Sequence, residues 1–168
     1  MSLQMNMKME GIMGDSKSFS HKGWTDILSW NWGMTSNRKL AQGANGEKTS
    51  LNELSVVKAI GADSSDIRLY FAQGKIIPKV EFSILPIVGK REKAYKYLCI
   101  KMEDVLIKSI VTGGNNEDKF FKEHITLLFG KIEFEYSKTG ASGTDGTAGV
   151  TEDFSFGWNV SVDSEWKH

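Results

Sequence analysis

The residue types able to do chemistry are present in this chain, but their spacing suits none of the common reactions. Gly43-Ala-Asn-Gly-Glu-Lys-Thr49 has the glycines, lysine and threonine that cradle a phosphate. A phosphate loop also needs Lys directly after Gly, a strand before it and a helix after it. Here Glu47 separates Gly46 from Lys48 and strand-like sequence follows, so an ordinary loop is expected. The three histidines, His21, His124 and His168, lie too far apart for a zinc pair on one element. No Gly-x-Ser-x-Gly elbow is present. Glu133 and Glu135 share a strand face beside Lys131, which reads as a solvated charged surface rather than opposed carboxylates in a cleft. Cys99, the sole cysteine, sits between apolar residues as a strand residue would. A triad can assemble from distant positions, so an enzyme with an unrecognised site remains one hypothesis. No catalytic residue, metal or cofactor is expected from these patterns.

The elements around these residues are mostly strands. Alternation over 24–35 puts Leu28, Trp30, Trp32 and Met34 on one face and Ile27, Ser29, Asn31, Gly33 and Thr35 on the other. Near the end, Phe154, Phe156, Trp158, Val160 and Val162 alternate with small or polar residues. A third strand over 125–136 places Leu128, Ile132, Phe134 and Tyr136 opposite Lys131, Glu133 and Glu135. Its start is apolar on both faces and so is expected to be covered on both. Further strands are predicted over 51–60, 79–88 and 95–111, the last with a phase slip at Glu103–Asp104 that a β-bulge would produce. One short helix should begin at Asp63 or Ser64, bury Ile67, Tyr70 and Phe71 as a stripe, and end at Gly74. Segments 38–50, 112–119 and 138–149 read as loops, the last a mobile hairpin connection. Trp30, Trp32 and Trp158 are expected in the core, and Trp24 and Trp166 partly exposed. The result is one mainly-β domain over 1–168, of two sheets or a barrel, with a helix packed on it.

Composition narrows the classes further. The 168 residues hold 21 Lys and Arg against 21 Asp and Glu. This balance argues against a general nucleic-acid binder, which needs surplus cations to neutralise phosphate. No intrachain disulfide is possible with one cysteine. The N-terminus lacks a basic start with an apolar run, so no signal peptide is expected, and no segment is apolar for long enough to insert in a membrane.

Several motifs resemble those of the Hcp (haemolysin co-regulated protein) family of type VI secretion. Lys8-Met-Glu-Gly-Ile-Met-Gly-Asp-Ser16 is similar to the family's opening strand and Gly-Glu-Ser-type turn, with Asp15 in place of Glu. His21-Lys-Gly-Trp24 followed by Asp26-Ile-Leu-Ser-Trp-Asn-Trp-Gly33 is the most specific match. Gly74–Val80, Val111-Thr-Gly-Gly114, His124–Leu127 and Phe156-Gly-Trp-Asn159 follow in the family's order along nearly the whole chain.

The resemblance implies a two-sheet β-barrel with one short α-helix. It further implies a non-enzymatic subunit of hexameric rings that stack into the inner tube of a contractile injection machine. Implied partners are other copies of the chain, sheath proteins, a trimeric spike protein and small effector proteins carried in the lumen. Assembly would occur in the bacterial cytoplasm, with expulsion to the exterior or a target cell. The chain ends soon after its last strand, so no fused toxin domain is expected. On this reading Ser29 and Asn31 face the lumen and its cargo. Arg38, Lys39, Gly43, Gly46 and Lys48 lie in a loop that reaches the neighbouring ring. The competing expectation is a monomeric β-barrel that binds a small ligand.

Overall fold

A computed structural model of the protein describes residues 2–36, 49–51, 53–88, 91–92, 97–139 and 150–166. The strands in chain order are β1 (Ser2–Met9), β2 (Thr25–Asp26), β3 (Ser29–Asn31), β4 (Met34–Ser36), β5 (Thr49–Leu51) and β6 (Leu54–Ala59). Helix α1 (Ser64–Gln73) follows. Then come β7 (Ile77–Val88), β8 (Arg91–Glu92), β9 (Leu98–Gly113), β10 (Lys122–Leu128), β11 (Lys131–Thr139), β12 (Val150–Asn159) and β13 (Ser164–Glu165). The fold is mainly β, a two-sheet barrel carrying one short helix. Strands β4 and β5 form a separate hairpin.

The large sheet runs β2-β1-β7-β9-β11-β12-β13, every pairing antiparallel. Its inward face is built of cross-strand rows. Met7, Phe82, Ile100, Phe134 and Phe156 form one, and Met9, Val80, Met102, Ile132 and Trp158 the next. β1, β7 and β9 bury these residues almost completely, β11 buries Ile132 fully and Phe134 in part, and β12 overhangs the core and leaves Phe154 and Phe156 exposed. The small sheet runs β9-β10-β6-β3 and contributes Leu54, Val56, Ile125 and Leu127, all buried. Each such side chain contributes about 1.5–3 kcal/mol by leaving water.

Two corners join the sheets. At the first, the long hairpin of β9 with β10 and β11 bends. Met102 points inward, and so does Val105, which requires a change of phase between them. Asp104 supplies it with φ 54°, and the amide of Gly130 donates to the carbonyls of Glu103 and Asp104 at 3.0 and 3.2 Å. The expected slip at Glu103–Asp104 is therefore a strand corner. At the second corner, Ile27 donates its amide to Met5 of the large sheet, and the next residue, Leu28, donates to Val57 of the small one.

This second corner corrects the expectation of one strand over 24–35. The segment is three short strands, because the chain changes sheets after Ile27. Ile27 is buried, Leu28 and Met34 are exposed, and only Trp30 and Trp32 of the predicted apolar face pack against the core. Three more corrections share this cause or the ending of a strand. The strand expected over 125–136 is two strands, β10 and β11, and Leu128, the last residue of β10, is exposed, so the part expected to be covered on both faces is covered on one. Strand β12 stops at Asn159, whose side-chain oxygen accepts from the amides of Ser161 and Val162, and Val160 and Val162 sit exposed in that turn. Segment 51–60 is divided between β5 and β6. Of the expected loops, 38–48 and 140–149 lie outside the described residues.

Helix α1 lies against β9. Ile67 is fully buried and Tyr70 half-buried, but Phe71 is exposed, so the predicted stripe is narrower than its spacing suggested. Gly74 takes φ 61°, and its amide and that of Lys75 close the last turn on Phe71 and Tyr70. Asp63 stands at the N-cap but makes no capping hydrogen bond, because its carboxylate is engaged elsewhere.

Candidate functional site

The centre of the small sheet's outward face is neutral and small. Ser29 and Asn31 are both exposed on β3, while Trp30 between them turns inward to meet the Phe82 ring at 5.4 Å. Asn31 pairs with Ser55, Ser55 with Thr126, and Thr126 with Ser109, so a row of amide and hydroxyl side chains crosses all four strands. The Ser55 and Thr126 hydroxyls lie 3.5 Å apart. The neighbouring row is Ser29, Val57, His124 and Val111. Lys108, the bulged residue of β9, forms an exposed ion pair with Glu53. The hydrogen bond from Lys108 holds the Glu53 carboxyl below its usual pKa. Alternation thus brings Ser29 and Asn31 to one face, and pairing adds Ser55, Ser109 and Thr126, which a single strand's sequence could not reveal. Arg38, Lys39, Gly43, Gly46 and Lys48 lie outside the described residues.

The large sheet's outward face is built differently. Lys8, Glu81, Lys101 and Glu133 stand in one row across four strands, alternating in sign. Lys79, Glu103 and Lys131 form the next, with Lys131 Nζ 3.3 Å from Glu103. Opposite charges facing each other across strands stabilise a sheet modestly. Glu133 departs from the solvated face expected of it: it is only 7% exposed, flanked by Lys101 and Gly157. Gly157 must stay small, since an added Cβ would lie 1.8 Å from the carbonyl oxygen of Trp166, which crosses over it. Cys99 shares this face, 2% exposed, with its thiol directed at Glu81.

A buried charge network was not anticipated from the sequence. Lys58 continues the inward phase of Leu54 and Val56, and Glu123 the inward phase of Ile125 and Leu127. The ammonium of Lys58 lies 2.9 Å from both Glu123 and Asp63, and it donates to the Ala59 carbonyl and the Ser64 hydroxyl. All three ionised residues are at most 2% exposed. Arg68 of α1 adds a second cation on Glu123 and bonds Thr112 at 2.6 Å, and Thr25 donates to Asp63. Burial opposes ionisation of Glu123, but hydrogen bonds from Lys58, Arg68 and Ser64 outweigh it and hold its pKa below the usual value. These bonds join α1 to β6, β9 and β10, so the network docks the helix. Parity counting along β6 and β10 was the signal that could have found it. Among the described residues no group of His, Cys, Asp and Glu is arranged to hold a metal ion, and no helix is long and apolar enough to cross a membrane.

Known proteins share both the sequence and the architecture. Protein hcp1 of Pseudomonas aeruginosa is 28% identical over 162 residues, covering 95% of this chain and 96% of its own. A solved type six secretion system protein superposes with a TM-score of 0.83 at 20% identity, over 98% of this chain and all of that one. Hcp1 of Salmonella typhimurium superposes with a TM-score of 0.75 at 22% identity, over 99% of this chain and all of that one. These two structures support the fold alone. The family described as "Type VI secretion system effector, Hcp" matches residues 6–136, and the chain belongs to this family of secreted type VI tube proteins.

Proposed function

We propose that the protein is a structural subunit that closes into six-membered rings, stacks with other rings into the inner tube of a type VI machine, and is expelled with it. The whole of 1–168 acts as one tube domain. The observation carrying this reading is the neutral row Asn31, Ser55, Thr126 and Ser109 across the small sheet. A sheet with its apolar side on the core and uncharged hydrogen-bonding groups on the other suits the wall of a wide aqueous channel. Ser29 and Asn31 would then face the lumen, where small effector proteins are held. Sheath proteins and a trimeric spike protein are the outer and terminal partners of such a tube. Assembly takes place in the cytoplasm, before export.

A ring repeats one heterologous contact until it closes. Light scattering at micromolar concentration should therefore return about six subunits per particle, the number the family resemblance implies. A strictly monomeric species at every concentration would reject the ring and favour a monomeric ligand-binding barrel. Stacking is assigned to the 38–50 segment, with Arg38, Lys39, Gly43, Gly46 and Lys48. Deleting 41–47 should leave rings intact and reduce tube formation and secretion, measured by electron microscopy and by recovery from culture supernatant.

A further inference from the structure

One row of the small sheet's outward face differs from its polar neighbour. It runs Ser29, Val57, His124 and Val111, with an apolar side chain on either side of an imidazole. His124 is exposed, Val111 is 62% exposed and Val57 is half-buried. Residues directly opposite across strands have Cβ atoms about 4.5–5.5 Å apart, close enough for these three to present one surface. A neutral imidazole between two valines completes an apolar stripe across β6, β10 and β9. A protonated one puts a cation in the middle of it. Apolar matter lying on the stripe would then strip water from an unpaired charge, which is costly.

The surroundings offer that charge no counter-ion. The next residue of β10 on this face is Lys122, itself a cation. From β6 the face presents Ser55, Val57 and Ala59, from β9 Ser109, Val111 and Gly113, and from β3 Ser29. Among the described residues, the rows adjoining His124 therefore hold no carboxylate. The ion pair of Lys108 with Glu53 lies beyond the polar row, and Glu117, Asp118 and Lys119 lie in the turn past Gly113. Glu123, Lys58, Asp63 and Arg68 engage one another on the opposite side of the sheet. A histidine side chain takes up its proton between roughly pH 5 and 8. Glu53 and Glu123 keep their charge in that window, because hydrogen bonds hold both carboxyls below their usual values.

We infer that Val57, His124 and Val111 form a pH-dependent grip for an apolar surface of a lumenal effector: the neutral imidazole holds it and the protonated one lets it go. The inference rests on the lumen reading above and adds its regulation. Two variants fix the two states: His124→Phe keeps the stripe apolar at every pH, and His124→Lys keeps it charged. Both replace an exposed side chain, so ring mass by light scattering should match the wild type at roughly pH 8 and roughly pH 5. Each small protein encoded beside this gene is tagged, purified and mixed with rings at both pH values. Recovery with wild-type rings should fall about tenfold on acidification. It should stay high with His124→Phe and low with His124→Lys at both. A second measurement needs no effector. The dye N-phenyl-1-naphthylamine is uncharged in this range and fluoresces in apolar contact. Its binding should weaken on acidification with the wild type and not with His124→Phe.

Recovery that ignores pH, that rises on acidification, or that still falls with His124→Phe overturns the inference. So does dye binding that ignores pH, or a wild-type ring mass that itself changes on acidification. If rings form but no tested protein is recovered at either pH, the lumen reading falls and this inference with it. A strictly monomeric chain fails the proposed function at an earlier step.

Discussion

The three buried ions are the residues on which stability turns most sharply. Lys58 neutralises two carboxylates that water cannot reach. Removing one partner from such a group leaves uncompensated charge in the core and costs about 3–5 kcal/mol. Lys58→Met should lower the free energy of unfolding by that amount, read from urea denaturation. Glu123 also predicts a pH response. Its folded pKa lies below the unfolded value, so its contribution is present above the unfolded pKa and lost as pH falls through the folded one. The urea midpoint of the wild type should fall on acidification through and below the carboxylate range, and Glu123→Gln should flatten that fall. An unchanged slope in the variant would mean that other carboxylates govern acid stability. The resemblance motifs acquire physical reasons at this scale too. Ser16 of the Gly-Asp-Ser turn is buried and accepts from Asn6, and Gly14 packs where a Cβ would lie 2.3 Å from the carbonyl oxygen of Trp24. His21 is buried edge-on to Trp24, with Nδ1 2.7 Å from the Ser20 hydroxyl. These contacts give His21 a packing role in the turn.

At the scale of elements, what was legible was local and what was missed was topological. Alternation identified the inward face where a strand stays in one sheet, as in β11, and in β12 at Trp158. It failed where a strand changes sheets. Leu28 has the same parity as Trp30, yet it sits beyond the corner and faces water. The slip at Glu103–Asp104 was readable because a phase change leaves a mark inside one apolar run. The change at Ile27–Leu28 was not, because both residues are aliphatic and neither face is polar there. The buried network escaped for a related reason: Lys58 and Glu123 come together only when β6 pairs with β10. The Asp104 corner permits a direct test. A left-handed residue costs little for Gly, more for Asp and most for a β-branched side chain. Asp104→Gly should match or slightly exceed wild-type stability, while Asp104→Val should lose about 1–3 kcal/mol in thermal or urea unfolding. Equal losses for both would show that the Asp side chain, not its backbone angle, holds the corner.

For the whole molecule, the two outward faces divide the tasks. The large sheet presents ion rows of alternating sign, whose fields largely cancel at a distance. The small sheet presents a central row of uncharged donors and acceptors, which would line the lumen under the proposed tube reading. Asn31 stands at the exposed edge of that row, where a larger side chain has room. Asn31→Arg should therefore keep the particle mass of the wild type yet reduce recovery of a lumenal effector in pull-down. Equal recovery would remove Asn31 from cargo contact, and a collapsed particle would show that β3 belongs to a subunit contact. The single thiol has a separate consequence for handling this protein. Cys99 is 2% exposed and spans no gap to a second sulfur. The native fold can pass from a reducing to an oxidising medium without acquiring a covalent bond between copies. Any cysteine placed on the surface becomes the one position that a maleimide dye or spin label will address, with the native residue left untouched.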